Sequence, residues 1–414
     1  MLIRARLLLP MVGPPIEDGA LMIAGERIAA VGTFRELKQQ DSGARLDLGE
    51  VAVLPGLINS HCHLDYTGMA GQVLPQKSFA DWIKGMFAVK AQWTYSDYAF
   101  SWINGARMQL RHGTTTVADI ETIPELLPEV WLATPLRVIS LMEMTGIRSQ
   151  KKTETILEEA CGHANRVAGC AGRFGLSPHA PYSTRPELLR LAGRRCRANR
   201  WPLAIHVAES HEELEMFVYR QGALFDWLKS QRDMSDCGKG SPIQHLHRNE
   251  LLGPNVLAIH ANYLVPGDAP LLARQQVTVV HCPRSHRYFQ HQPFPRNELA
   301  SAGVNISLGT DSLATVRQHP REAAQLNLFD EMRRLASNEP GLAPEMILRM
   351  CTVNAARGLG WPGRFGELSP GATADLCVVP FAAMTSQAYP AIVQHTGPVT
   401  STMLDGRWVF GPDL

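Results

Sequence analysis

Residues 58–65 read Ile58-Asn59-Ser60-His61-Cys62-His63-Leu64-Asp65, directly behind the apolar run VAVLPGL of 51–57. On a strand, successive side chains alternate between faces, so His61 and His63 share one face and can reach a single point together. Cys62 is then turned the other way and is expected to be a packed thiol. The pair alone is weak, because fifteen histidines in 414 residues supply roughly half of one such His-x-His by chance. His245 and His247, in QHLHRNELL, form a second pair. It follows a Gly/Ser/Pro-rich stretch and precedes a loop or helix start, which predicts a solvated surface pair. Context decides between the two.

That context is a series of eight strand-like apolar runs: GLINSHCHLD, GTTTVADI, LRVISLMEMTG, RFGLSPHAPYS, PLAIHVAES, VLAIHANYL, VTVVHCPRS and VNISLGTDS. Between or after them lie helix-patterned stretches such as PELLRLAGRRCRANR and PREAAQLNLFDEMRRLA. Alternation of this kind is the signature of βα units on a parallel sheet. Eight strands over about 310 residues predict a (β/α)₈ TIM-type barrel. The first fifty-odd residues and the last segment instead carry short runs separated by turn signals. These predict a small β-sandwich domain built from both termini, residues 1–54 plus 369–414, around a catalytic barrel of 55–368.

Charged residues are 19% of the chain, apolar ones 45%, and the formal net charge is +1. That balance offers no electrostatic case for nucleic acid or an acidic membrane. No stretch reaches the roughly 18 to 20 apolar residues of a membrane span, and MLIRARLLLPMVGPP lacks the core and cleavage site of a signal peptide. The eight cysteines are scattered without a CxxC pair, which predicts free thiols in a reducing compartment. A cytoplasmic protein acting on a small-molecule substrate is expected.

Active sites of such barrels sit at the C-terminal strand ends, and the histidines gather there. His61 and His63 close run one, His179 run four, His206 run five, His260 run six and His281 run seven, with Asp311 following SLGT on run eight. Each alone reads as a hydrogen-bonded core or rim residue. Together, imidazoles and a carboxylate suit one divalent metal per chain, Zn²⁺ or, at a similar site, Fe²⁺, with a coordination position left for water. Run four carries no strand-end lysine to bridge two metals, which favours a single-metal site.

In this order, PGLINSHCHLD, SPHAPYS, HVAES, IHANYL, HCPRS, SLGTDSLA, TVNAARGLG and GELSPGATADLCVV resemble the amidohydrolase superfamily, in its nucleoside and nucleobase deaminase branch. The resemblance covers essentially the whole chain. It implies that His61, His63, His206 and Asp311 are metal ligands, that Glu209 in HVAE is the proton shuttle, and that His260 orients the attacking water. Asp311 would also accept a proton, and His179 would touch substrate. Glu143 in LMEMTG lacks the glycine-proline surroundings of the superfamily's deacetylase ligand and is expected to have a pocket role. Dimeric and tetrameric relatives imply a homo-oligomer.

The implied activity is hydrolytic deamination of an adenine-type nucleoside with release of ammonia. Two departures bear on the substrate: HLDYTGMAGQ lacks the arginine of the usual HxHxxxTxxRG, and HCPRSHRYFQHQPFP replaces the common Ser-Asn ending. Arg284, His286 and Arg287 after strand seven, with Arg148 past strand three, are expected at the mouth, where guanidinium groups can bind a substrate carboxylate. Phe79, Trp82, Tyr288 or Phe289 would stack on rings. S-adenosylhomocysteine and aminodeoxyfutalosine fit such a mouth, and the unusual loop favours the second. Rival readings keep the barrel and change the chemistry: a chlorohydrolase, a cyclic-amide hydrolase, a guanine- or cytosine-type deaminase, or a non-catalytic binding barrel. The glutamate after HVA speaks against chloride release, since a departing amine needs a proton and chloride does not.

Overall fold

The computed structural model describes residues 1–39, 44–147, 149–164, 173–317 and 323–411. Two sheets of eight strands each organise them. The first gathers both chain ends: β1 (Leu2–Leu8), β2 (Ile16–Ala24), β3 (Arg27–Thr33), β4 (Arg45–Asp47) and β5 (Val51–Pro55) come from the start. The second comprises β6 (Leu57–Cys62), β7 (Thr114–Glu121), β8 (Arg137–Met144), β9 (Arg173–Pro178), β10 (Leu203–Val207), β11 (Val256–His260), β12 (Thr278–His281) and β13 (Asn305–Leu308). The chain then returns to the first sheet with β14 (Leu376–Pro380), β15 (Ser401–Leu404) and β16 (Arg407–Phe410).

The terminal sheet runs β16-β15-β14-β5-β1-β2-β3, with β4 also beside β1. Period-two alternation gives it two buried faces: Val51 and Val53 join its own small core with Ile3 and Leu376, while Ala52 and Leu54 join the large core shared with the barrel. Arg137, buried at the start of β8, ties the two sheets together. It pairs with Asp375 and Asp405 beyond the barrel and lies 4.3 Å from the centroid of Phe365.

In the second sheet each strand pairs in parallel with its sequence neighbour, in the order β6 to β13. These strands are covered on both faces and so read as near-continuous apolar runs. The crossovers are helical, and their ends follow local chemistry. Helix Tyr95–Arg111 starts at a Thr94/Asp97 capping box, while Pro186–Asn199 opens on its proline and stops at left-handed Arg200. β13 closes onto β6: the amides of Thr310 and Asp311 donate to the His61 carbonyl at 3.0 and 3.1 Å. Asn59 reinforces the seam, donating to Thr310 Oγ1 at 2.7 Å and accepting from the Thr310 amide at 3.1 Å. The result is the expected barrel.

Alternation sorts the strand residues. Ile58, Ala118, Ile139, Leu141, Ala204, Leu257 and Val280 fill the interior, plugged by Ala355, Leu359, Trp361 and Phe365. Val117, Val138, Ile205, Ala258 and Val279 face the helices. Among the described residues no helix is long and apolar enough to cross a membrane. Seven cysteines are free and buried; Cys170 lies outside the described residues.

The second histidine pair departs from the sequence expectation. It sits on helix Pro242–Arg248, where His247 is exposed but His245 is buried against Phe217 and bonded to Asn249. The helical period, which the short motif did not reveal, separates the two residues onto different faces. Neither approaches the barrel axis cluster.

Candidate active site

Strand ends deliver the polar residues to the barrel mouth, but simple alternation does not explain all of them. Ile58 faces the interior and Cys62 the helices, although both are even-numbered positions of one strand. An irregularity in the β6–β7 register between Asn59 and Cys62 reverses the parity, and with it His61 and His63 turn inward. On β11, Leu257 and Ile259 already occupy the interior, so His260 would point outward. Its φ of +74° turns it back. Asp311 has φ +53° and Ala208, between His206 and Glu209, has φ +48°. Left-handed backbone at non-glycine residues is unfavourable and gathers where a site needs it. Gly309 serves the same corner, since a Cβ there would lie 2.8 Å from the His61 carbonyl oxygen.

The outcome is a tight polar cluster. One ligand-type atom each from His61, His63 and His206, and likewise from His61, His260 and Asp311, lie within 4.8 Å of one another. Asp311 Oδ1 is 3.4 Å from His61 Nε2 and 3.8 Å from His63 Nε2. His206 Nδ1 lies 3.0 Å from the His179 carbonyl, which can only accept, so this nitrogen carries the proton. Burial pushes His206 down to about 3 and holds His63 and His260 well below the ordinary histidine range. Neutral His206 therefore presents a bare Nε2, 3.4 Å from His63 Nε2. His61 Nε2 and His260 Nε2 are buried with no hydrogen-bond partner. Burial would raise Asp311, but His61 and the other imidazoles hold it well below the usual carboxylate range. Converging lone pairs, orphaned nitrogens and an ionised carboxylate are what a divalent cation requires, so the donor set fits a metal.

Glu209 stands beside this cluster, its Oε1 3.5 Å from His260 Nε2. Its amide donates to Glu213 at 2.9 Å and its carbonyl accepts from Asn262 at 2.9 Å. Burial first, then Asp311 and Glu213, push its carboxyl well above the ordinary range, so it readily holds a proton. A cavity of about 340 Å³ opens over the cluster and also touches Glu143, His179 and Trp82. His179 Nδ1 is fixed by Ser183 Oγ at 2.7 Å. The outer wall is apolar, made by Phe79, Trp82, Ile83, Met86, Trp227 and Leu228.

The residues expected at the mouth are distributed differently. Arg284 and His286 line a separate cavity, and so does Arg287. Arg284 Nε contacts Glu331 at 2.5 Å and its Nη1 contacts Asp330 at 3.2 Å, so the guanidinium is committed to protein carboxylates and is not free for a substrate. His286 is buried in the short helix Pro283–Tyr288. His281 faces the helices, as its parity with Val279 dictates, and stacks on Phe294. Tyr288 donates to the Val73 carbonyl, whereas Phe289 packs against Trp82. Arg148 lies outside the described residues. Sequence reasoning missed Asn59, which holds the barrel seam, and Thr315, whose hydroxyl lies 3.2 Å from Asp311 Oδ2. Only the position of Asn59, two before His61, offered a signal.

Similarity to known proteins extends along nearly the whole chain. The sequence profile described as Amidohydrolase family matches residues 52–409. A 5-methylthioadenosine/S-adenosylhomocysteine deaminase of Syntrophobacter fumaroxidans is 31% identical over 387 residues, covering 89% of this chain and 81% of that one. An aminodeoxyfutalosine deaminase of Deinococcus radiodurans is 28% identical over 384 residues, covering 87% and 86%. The crystal structure of Helicobacter pylori aminofutalosine deaminase in complex with methylthio-coformycin has a TM-score of 0.87 at 19% identity, covering 99% and 100%, a likeness of fold.

Proposed function

The chain belongs to the amidohydrolase family, and on that premise we propose that it is a metal-dependent hydrolytic deaminase of 5′-substituted adenine nucleosides. The observation that carries this reading is the meeting of the His/Asp cluster and protonatable Glu209 on one wall of a nucleoside-sized cavity. His61, His63, His206 and Asp311 would hold one divalent cation, and three imidazoles with one carboxylate favour Zn²⁺, with Fe²⁺ suited to a similar set. When bound, the cation lowers the pKa of water toward about 7 and makes a nucleophile available at neutral pH.

The protein groups then handle protons. Glu209 takes one proton from the attacking water and passes it to the ring nitrogen beside the amino-bearing carbon. Asp311 receives the second, which leaves on the amine as ammonia. His260, held by its left-handed backbone, orients the water. His179 touches the purine, and Glu143, on the interior face of β8, accepts from sugar hydroxyls.

With Arg284 and His286 withdrawn from the mouth, the substrate's 5′ group meets the apolar wall instead. Phe79 and Trp82, with ring centroids 6.0 Å apart and planes inclined by 18°, favour an aryl or thioether substituent. Aminodeoxyfutalosine, whose 5′ extension is aromatic, suits that wall best. Methylthioadenosine follows, supported by the 31% identical relative. The test is ammonia release by the metal-loaded protein across adenosine, methylthioadenosine, S-adenosylhomocysteine, aminodeoxyfutalosine, guanine and cytosine. Aminodeoxyfutalosine and methylthioadenosine should have the highest kcat/KM; no turnover of any adenine nucleoside would refute the reading. The free thiols suit a cytoplasmic setting.

A further inference from the structure

A second cavity, of about 970 Å³, lies outside the barrel wall and shares no lining residue with the catalytic one. Among the described residues five arginines line it, Arg284, Arg287, Arg296, Arg317 and Arg334, against a single carboxylate, Glu339. Arg296 is spent on Glu339 and Arg284 on Glu331 and Asp330. Arg287, Arg317 and Arg334 have no acidic partner among the described residues. Three positive charges thus face one space with no ion-pair partner among the described residues.

The floor of the cavity is also unfinished. His281 and His286 are at least nine-tenths buried, yet His281 Nδ1 and His286 Nε2 make no hydrogen bond. Arg284 Nη2 and His291 Nε2 are likewise buried without a partner. Burial holds His281 and His286 below the ordinary histidine range, so both rings are neutral, and the His286 ring also bonds the backbone of Gln292. Buried polar groups are nearly always paired, so a cluster of orphaned nitrogens marks an incompletely satisfied floor.

We propose that this cavity is a binding site for a small molecule carrying a diphosphate group, held by Arg287, Arg317 and Arg334 with the imidazoles of His281 and His286 beneath. Guanidinium forks match phosphate oxygens two at a time. The volume admits a nucleoside diphosphate as well as inorganic pyrophosphate. Phe289 forms the partition: its ring stacks on His291 of this cavity and meets Trp82 of the catalytic one edge-on. Arg317 follows the Leu313–Thr315 turn, which bonds to Asp311.

Isothermal titration of the metal-loaded protein with inorganic pyrophosphate and, separately, adenosine diphosphate tests the site. Saturable binding that weakens at least tenfold in the Arg287→Ala/Arg317→Ala double variant, and weakens as salt rises, is expected. Both side chains are exposed and have no acidic partner among the described residues, so the variant keeps its fold; an unchanged circular dichroism spectrum and melting temperature confirm this. Arg334→Ala should weaken binding independently. Pyrophosphate binding alone assigns the site to the free anion, and binding of both assigns it to the diphosphate group. Absence of saturable heat at millimolar ligand, or binding that is the same in wild type and variants because it occurs at the catalytic metal, overturns the proposal. These readouts stand whether or not the protein deaminates a nucleoside.

Discussion

Replacing Glu209 by glutamine separates holding the metal from moving the proton. The substitution keeps the size and shape of the side chain in its buried position and removes only its capacity to take and release a proton. Glu209 is absent from both groups of converging ligand atoms, so the donors of His61, His63, His206 and Asp311 remain. Its backbone contacts with Glu213 and Asn262 involve main-chain atoms and are retained. Metal content should therefore equal that of the wild type. A positioned acid–base group contributes about 10²- to 10⁴-fold, equivalent to about 2.7 to 5.4 kcal/mol of transition-state stabilisation. That loss should fall on kcat with KM little changed, because in the proposed mechanism the carboxyl acts on the reacting atoms and not on the apolar wall. Metal per chain by plasma mass spectrometry and ammonia release on the same samples make the measurement. A variant with full metal and a kcat within tenfold of wild type would remove Glu209 from the chemistry; one that loses its metal would make it a ligand.

Asn59→Ala should destabilise the chain by about 1–3 kcal/mol, because the buried Thr310 amide loses its acceptor at the barrel seam. Denaturant unfolding with and without chelator reads this, and metal affinity should fall with it. Arg284→Met should cost about 3–5 kcal/mol by leaving fully buried Glu331 without its cation, and Arg284→Met/Glu331→Met should recover much of that. A rise in KM without loss of stability would return Arg284 to the substrate. His245 is held at about 4 by burial, below its ordinary 6.5, so the folded state refuses a proton that the unfolded chain accepts. Its contribution is intact above pH 6.5 and declines as pH falls toward 4, by up to about 3 kcal/mol. Unfolding curves of wild type and His245→Gln at pH 7 and 4.5 should converge toward acid; parallel shifts would exclude His245 as the cause.

Much of the barrel was legible because its signals are local and repeated. Fully covered parallel strands must be apolar on both faces, so eight such runs between helical patterns specify the architecture. The cluster was legible because barrel topology sends strand ends to one mouth, which made His61, His63, His206, His260 and Asp311 neighbours on paper. Parity even held the information that His281 faces the helices beside Val279, although its place at a strand end drew it toward the mouth.

Other features exist only in three dimensions. The register irregularity in β6 and the left-handed backbone of His260 and Asp311 reverse what alternation predicts, and no residue type at those positions signals them. Whether Arg284 meets a substrate or Glu331 depends on a helix 47 residues away in sequence. Composition and spacing determined the fold and the gathering of His61, His63, His206, His260 and Asp311 at one mouth, because those obey short periods. The orientation of each charged side chain was decided by its tertiary partners, since a buried charge goes wherever an opposite charge can compensate its loss of water.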